Sequence, residues 1–269
     1  MTRSNDESDR PIRVRWVNPI GLASDDAAIA ELLAGIRQPG TEVEVVSFDM
    51  EASPSHLEFR SYEALMVERI VATARDAAIS GVDAMVIGCF YEPALEDARE
   101  ISGSTIVVAP CEACLTVASS LANRFSILVG RHKWIEQMQS RVDRYGMAKR
   151  LASFRSLDMG VNDFQKDHAV TRDRIIEAAR RAVQEDHAEA IILGCTMEFG
   201  FFEEVQHEVG VPVIDAVVAP FKQAEHLATM KRRFGWAPSR MWSCEPPSEA
   251  ELSEFGLFQT PPALKRVKI

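Results

Sequence analysis

Two stretches decide how this chain is read: Ala84-Met85-Val86-Ile87-Gly88-Cys89, continued by Phe90-Tyr91-Glu92, and Ala190-Ile191-Ile192-Leu193-Gly194-Cys195, continued by Thr196-Met197-Glu198. Each is an apolar run of strand length that ends in Gly-Cys and carries a Glu three places later. The offset from Cys89 to Cys195 is 106 residues, and it also maps Ala84 on Ala190, Val107 on Val213 and Val108 on Ile214. A continuous apolar run suits a parallel strand buried on both faces. The two copies therefore predict a duplicated α/β lobe with one thiol on each side of a cleft.

The remaining pattern extends this reading. Ile12 to Val17 alternates and is β-rich, a first strand that stops at Asn18-Pro19-Ile20-Gly21. Ser24-Asp25-Asp26 caps a helix over 27–35, and a second strand covers 42–48. A loop over 49–60 leads to a helix over 61–80; after the Cys89 strand, helical pattern resumes over 92–101. Strands at 104–109, 125–130, 152–156 and 210–215 alternate with helices near 110–122, 133–148 and 172–186, a short helix that ends at Val209, and a last one over 216–233. Such alternation predicts two pseudo-symmetric Rossmann-like lobes with parallel sheets, with ligands bound beyond the carboxyl ends of the strands. The predicted division is a disordered start over 1–10, a first lobe over 11–115 plus 216–234, a second over 116–215, and a Pro-rich tail over 235–269 that wraps the surface or a neighbouring subunit. Its basic end, Lys265-Arg266-Val267-Lys268, reads as a solvated tail.

Composition narrows the function. The chain has 269 residues, 46% hydrophobic and 26% charged, with a net charge of −10. Acidity and the lack of a basic cluster argue against nucleic-acid binding. No apolar run is long enough for a membrane span, and residues 1–10 lack the apolar core of a secretory signal. Five cysteines at irregular spacing, Cys89, Cys111, Cys114, Cys195 and Cys244, predict a reducing, cytoplasmic setting rather than a disulfide framework. The six histidines show no ligand spacing, so no metal and no cofactor is expected.

A lone Cys after a strand is commonly a small buried hydrophobe. Two at equivalent places of a repeat point to chemistry instead. The preceding Gly lets backbone approach a ligand, and a following helix start lowers a thiol's pKa. Two thiols on opposite sides of a planar carbon suit proton exchange. One removes a proton from one face, and the other returns a proton to the opposite face.

With these residues in view, the sequence resembles the aspartate/glutamate/hydantoin racemase superfamily, and within it the hydantoin and allantoin racemases, over about residues 12–260. Val17-Asn18-Pro19 is similar to the family's Asn-Pro-Asn opening, and Cys89-Phe90-Tyr91-Glu92-Pro93-Ala94-Leu95 to its Cys-Phe-Gly-Asp-Pro-Gly-Leu. Glu112-Ala113, Arg124-Phe125-Ser126-Ile127, Leu193-Gly194-Cys195, Val211-Pro212-Val213-Ile214-Asp215 and Phe258-Gln259 have counterparts as well. The resemblance implies a site between the lobes, Cys89 and Cys195 as its acid/base pair, Asn18 against the substrate, and a homo-oligomer. The implied activity is cofactor-independent racemisation of a 5-substituted hydantoin or similar cyclic ureide.

Departures from the pattern keep a second chemistry open. Ile20 replaces the second Asn, Tyr91 replaces a Gly, Thr196-Met197-Glu198 replaces Ala-Gly-Met, and Arg131-His132 stands where small hydroxyl residues are usual. Substrate contacts are thus expected from Asn18, Phe90, Tyr91, Glu92, Cys111, Glu112, Arg131, His132, Thr196 and Met197, and catalysis from Cys89, Cys195 and Glu198. The alternative resembles the desulfhydrase of ergothioneine breakdown: hydrolytic desulfurisation of a thiohydantoin propionate. There a Cys attacks the thiocarbonyl, Glu198 or Glu92 activates water, and Arg131 holds the propionate. Each of these residues also has a plainer reading. Glu92 and Glu198 fit helix-N-terminal charges, and Arg131 fits a cap or surface pair. Cys111-x-x-Cys114 fits a redox pair as well as a ligand loop, and Met138 reads as packing.

Overall fold

The computed structural model describes residues 10–21 and 23–269. The expected disordered start lies outside the described residues except for Arg10, which is ordered by a 2.7 Å ion pair with Asp83. The elements in chain order are β1 (Ile12–Asn18), α1 (Asp26–Ile36), β2 (Thr41–Phe48), α2 (Arg60–Ile79), β3 (Ala84–Ile87), α3 (Leu95–Ile101), β4 (Ile106–Val108) and α4 (Pro110–Leu121). They continue with β5 (Phe125–Val129), α5 (Ile135–Arg144), β6 (Leu151–Ser156), α6 (His168–Asp186), β7 (Ala190–Leu193), α7 (Phe202–Val209), β8 (Val213–Ile214), α8 (Val218–Phe234), α9 (Glu249–Glu254) and β9 (Leu264–Lys268).

Two α/β sheets result. The first runs β4-β3-β1-β2-β9 and the second β6-β5-β7-β8. Taken from the matching edge, β4-β3-β1-β2 repeats as β8-β7-β5-β6, with every one of these pairings parallel. The 106-residue offset is therefore a structural repeat: β3 and β7 hold the same place in each sheet.

Alternate residues of the first sheet feed two cores. Val17, Met85 and Ile87 face α2 and α3 together with Met66, Ile70 and Leu95. Val14, Trp16 and Val86 face α1 and α8 together with Leu33, Phe221 and Ala224. Both faces are covered, so the strands read as apolar runs. The second sheet has its own core around Phe125, Ile127, Leu193 and Phe201, and α4 joins it through Cys111, Cys114 and Leu115. No helix of the described residues is long and apolar enough to cross a membrane.

Three expectations are corrected. Helix α3 begins at Leu95, not at residue 92, because Glu92 and Ala94 adopt left-handed φ of 56° and 53°. The basic end is a strand, not a solvated tail: β9 pairs antiparallel with β2 from Glu44↔Lys268 to Phe48↔Leu264. Its Arg266 meets Glu44 at 2.9 Å and Asp76 at 3.7 Å. Those same carboxylates hold the fully buried Arg15 at 2.6 and 2.7 Å, so the tail completes a charge cluster begun on β1. Finally, the glycines before the two cysteines serve strand packing. A Cβ on Gly88 would lie 2.7 Å from Trp16 Nε1 and 2.8 Å from Val17 O, and one on Gly194 would lie 2.3 Å from Leu128 O.

Candidate active site

The carboxyl ends of β1, β3 and β7 open onto a cavity of about 350 Å³ between the lobes. Its wall carries Cys89 and Cys195, with Asn18, Phe90, Tyr91, Thr196 and Met197 from the predicted set. Trp134, Met138 and Leu57 make most of the rest apolar, and Ser55, His56, Glu58, Asn162, Gln165 and Lys166 add polar groups.

Each lobe builds its thiol in the same way. Gly88 N donates to Val17 O and Gly194 N donates to Leu128 O, both at 2.8 Å. That bond fixes each Gly-Cys step against the neighbouring strand. The amide two residues on then supports each sulfur: Met197 N–H donates to Cys195 Sγ at 3.5 Å, and the Tyr91 N–H plays this part for Cys89. A third contact joins the two loops. Thr196 Oγ1 donates to Gly88 O at 3.1 Å in a buried setting, so the residue after one cysteine is tied to the residue before the other.

No α-helix starts at either thiol. Cys89 is followed by a turn, and Cys195 by a three-residue 3-10 turn over Thr196–Glu198. The expected lowering of their pKa is reversed. Burial, with Glu63 next, pushes Cys89 up to about 12. Burial, with Glu198 next, pushes Cys195 well above the ordinary thiol range. Both cysteines keep part of their surface open to the cavity, but they lie too deep for bulk water to solvate a thiolate well.

Asn18 is held from both sides: its Oδ1 accepts from Trp16 Nε1 at 2.9 Å, and its Nδ2 donates to Asp26. Asp26 is fixed in turn by Ser47 Oγ at 2.7 Å. The amide on the cavity wall is thus orientated before any ligand arrives.

The other predicted contacts lie off the cavity wall. Cys111 is fully buried in the second core, because the chain turns into α4 at Pro110 and its side chain faces inward. Its partner in the motif, Cys114, is equally buried, with its Sγ 3.8 Å from Asp215 O. Glu112 turns outward and pairs with Arg99. Arg131 donates from Nη1 to Glu58 at 2.8 Å and does not reach the cavity wall, and the exposed His132 opens a 3-10 turn whose Trp134 does.

The two repeat-related glutamates are sealed behind the cysteine loops rather than facing the cavity. Glu92 accepts from Glu112 N at 2.7 Å, at the start of α4, and from Tyr145 Oη at 2.5 Å. Burial raises it to about 7 against these bonds and Arg141. In the second lobe the equivalent amide, Val218 N, donates to Asp215 at 3.1 Å instead. Glu198 thereby loses the partner that Glu92 has, and neither of its carboxyl oxygens finds a hydrogen bond of good geometry. Burial, then Asp215, holds it well above the usual carboxylate range, with the amides of Cys195 and Gly194 acting the other way. Glu198 lies buried behind Cys195, its carboxyl held toward the protonated form by that burial.

The most consequential residue without a sequence signal is Glu58. It lies in the loop before α2, yet its carboxylate reaches the second lobe and accepts from Arg131 and, at 2.8 Å, from Val161 N. Asn162 Nδ2 donates to Ser55 Oγ at 2.9 Å beside it, closing one side of the cavity. Trp134 and Met138 carry only an apolar signal, which reads equally well as core. Among the described residues, no group of three or more His, Cys, Asp or Glu is placed to hold a metal ion.

Comparison with known proteins accords with this architecture. Residues 20–224 match the family described as Asp/Glu/Hydantoin racemase. A hydantoin racemase of Pseudomonas sp. (strain NS671) is 32% identical over 253 residues, 93% of this chain and 99% of that protein. One from Rhizobium meliloti is 31% identical over 216 residues, 80% of this chain and 88% of that protein. Among solved structures, allantoin racemase from Klebsiella pneumoniae superposes with a TM-score of 0.81 at 27% identity, covering 88% of this chain and 94% of that one. With its two repeat-related α/β sheets and shared cleft, this chain belongs to the Asp/Glu/Hydantoin racemase family and is an enzyme of the isomerase class.

Proposed function

We propose that the protein is a cofactor-independent racemase of a 5-substituted hydantoin or similar cyclic ureide, with Cys89 and Cys195 as its two bases. The observation that carries this reading is the placement of both thiols on one cavity wall by equivalent strand ends. A ring carbonyl acidifies the neighbouring C–H. One cysteine, as thiolate, takes that proton to leave an enolate, and the other, as thiol, returns a proton to the opposite face. The roles exchange for the other enantiomer. The high pKa of each thiol serves both halves: it keeps the donor protonated and makes the acceptor a stronger base once ionised. Fixed thiol loops and a preset Asn18 limit the reorganisation needed at reaction.

The desulfurisation alternative has weaker support. Arg131 is bound to Glu58 and is absent from the cavity wall, so it offers no free cradle for a propionate. Glu198 and Glu92 are both buried away from the wall, where neither reaches a substrate-bound water. The same reading places the enzyme in a reducing cytoplasm, consistent with five free thiols, and assembles it as a homo-oligomer.

Chiral chromatography of each enantiomer of 5-isobutylhydantoin, and of allantoin, tests the proposal. Cys89→Ser and Cys195→Ser should each lower racemisation by about 10²–10⁴-fold. In D₂O each variant should still exchange the C5 proton of one enantiomer, a different one for each. Full racemisation by either variant, or sulfide release from a thiohydantoin without racemisation of its oxygen analogue, would rule out the two-thiol mechanism.

A further inference from the structure

The repeat makes the two thiol loops alike in backbone but not in what stands behind them. The Cys89 loop is gripped from the other lobe. Arg141, on α5, donates from Nε to Tyr91 O and from Nη2 to Glu92 O, both at 2.9 Å, and from Nη1 to Glu96 at 3.2 Å. Its side chain is only 18% exposed. The loop needs such a grip, because Glu92 and Ala94 both sit at left-handed φ, a conformation costly for residues with a Cβ. Tyr145, one turn further along the chain, adds its hydroxyl to Glu92.

The Cys195 loop is held by neutral groups: Gln165 Nε2 donates to Met197 O at 2.8 Å, and Thr196 bonds to Gly88 O. Behind it stand two acids, Glu198 and Asp215, both buried. The acids facing Cys89 are Glu63 and Glu92. Glu63 accepts from Gln137, and Glu92 is bonded to Tyr145 and the Glu112 amide beside Arg141. Arg141 thus brings a guanidinium, shared with Glu96, behind Cys89, while the chief groups acting on Cys195 are Glu198, Glu58, the Cys89 thiol and the Met197 amide.

We propose that Arg141 is a positioning residue for Cys89: across the lobe boundary its guanidinium fixes the loop that carries the first thiol and makes Cys89, rather than Cys195, the thiol that ionises first. The proposal uses the two-thiol reading for its catalytic consequence, but the order of ionisation can be measured without any substrate. Repeat symmetry would leave the thiols interchangeable; Arg141 gives them a fixed order.

The full-length protein is treated with iodoacetamide between pH 8 and 10, and alkylation of each cysteine is followed by peptide mass mapping. In the wild type Cys89 should react faster than Cys195. Arg141→Met should slow Cys89 by about tenfold, equivalent to about one pKa unit, and leave Cys195 within about twofold. Arg141→Lys keeps the charge but cannot bridge two carbonyls, and should slow Cys89 by about threefold. Faster reaction at Cys195 in the wild type overturns the proposal. So does slowing of both cysteines together, or a Cys89 rate that is unchanged or increased in either variant. If Arg141→Met loses its native circular dichroism, Arg141→Lys decides.

A second readout separates positioning from general damage. In D₂O, Arg141→Met should lose inversion of 5-isobutylhydantoin, keep C5 exchange of the enantiomer served by Cys195, and lower kcat with KM within about threefold. Equal loss of exchange from both enantiomers overturns the positioning role. A wild type with the expected alkylation order but no racemase activity would defeat the proposed function and leave the assignment of Arg141 standing.

Discussion

Cys89 and Cys195 each follow a Gly that is wedged against a neighbouring strand, and each sulfur is supported by the amide two residues on. Neither thiol is ionised at rest near neutrality, since burial raises both. This fixes the sign of the pH dependence. A base whose pKa lies above the ordinary thiol value gains its active form only as pH rises. On the proposed two-thiol mechanism, kcat/KM should therefore climb by about tenfold per unit between about pH 7 and 9, because Cys89 at about 12 is far from half-ionised there. A plateau below pH 8 in the initial rate of racemisation would contradict it. The thiols and Asn18 were legible in the sequence because strand ends in an α/β sheet are fixed by local pattern. Glu58 was not, since its partners Arg131 and Val161 are 73 and 103 residues away.

At the scale of elements, β3 and β7 are held by close backbone approach. Gly88→Ala and Gly194→Ala should each cost about 3 kcal/mol in urea unfolding, because a methyl would press on Val17 O or Leu128 O, backbone atoms that cannot move aside. Gly35 on α1 has no atom within 4 Å of a would-be Cβ. Gly35→Ala should instead stabilise by about 0.5–1 kcal/mol through helix propensity. Equal effects at all three positions would refute the packing account. Sequence pattern located these strands because an apolar run of four or five residues is a local signal. It mistook β9 for a solvated tail because Lys265-Arg266-Val267-Lys268 has too little apolar content. β9 is held by ladder bonds to β2, by Leu264 and Val267 packed against the two cores of the first sheet, and by Arg266 meeting Glu44 and Asp76, all distant in sequence.

At the scale of the whole molecule, polar contacts that are buried or partly buried tie the lobes together, among them Tyr145 to Glu92, Arg141 to the Cys89 loop, Thr196 to Gly88, and Arg131 to Glu58. Glu92 makes one of them pH-sensitive. Its folded pKa of about 7 exceeds its unfolded value, so the folded state holds more protons between them. Its contribution is fully present below about pH 4.5 and is lost as pH rises through about 7, on the order of 3 kcal/mol in all. Urea unfolding of the wild type and of Glu92→Gln at pH 5 and pH 8 checks this. The variant should lose less stability across the interval; the same loss in both would assign the slope to Glu198 and Asp215, whose pKa values are raised as well.

The sequence by itself determined the duplicated lobes, the parallel sheets and the two thiols at matching strand ends. Those features follow from short-range periodicity, and a repeat carries its own register. Only the tertiary structure decided what surrounds the thiols. It gave the Glu92 amide partner at Glu112 and left Glu198 with none, because Asp215 takes the equivalent amide in the second lobe. It also turned Arg131 onto Glu58 and Arg141 onto the Cys89 loop. Electrostatics and burial at the cleft depend on groups brought together from separate lobes, and no local pattern encodes which carboxylate a given arginine will meet.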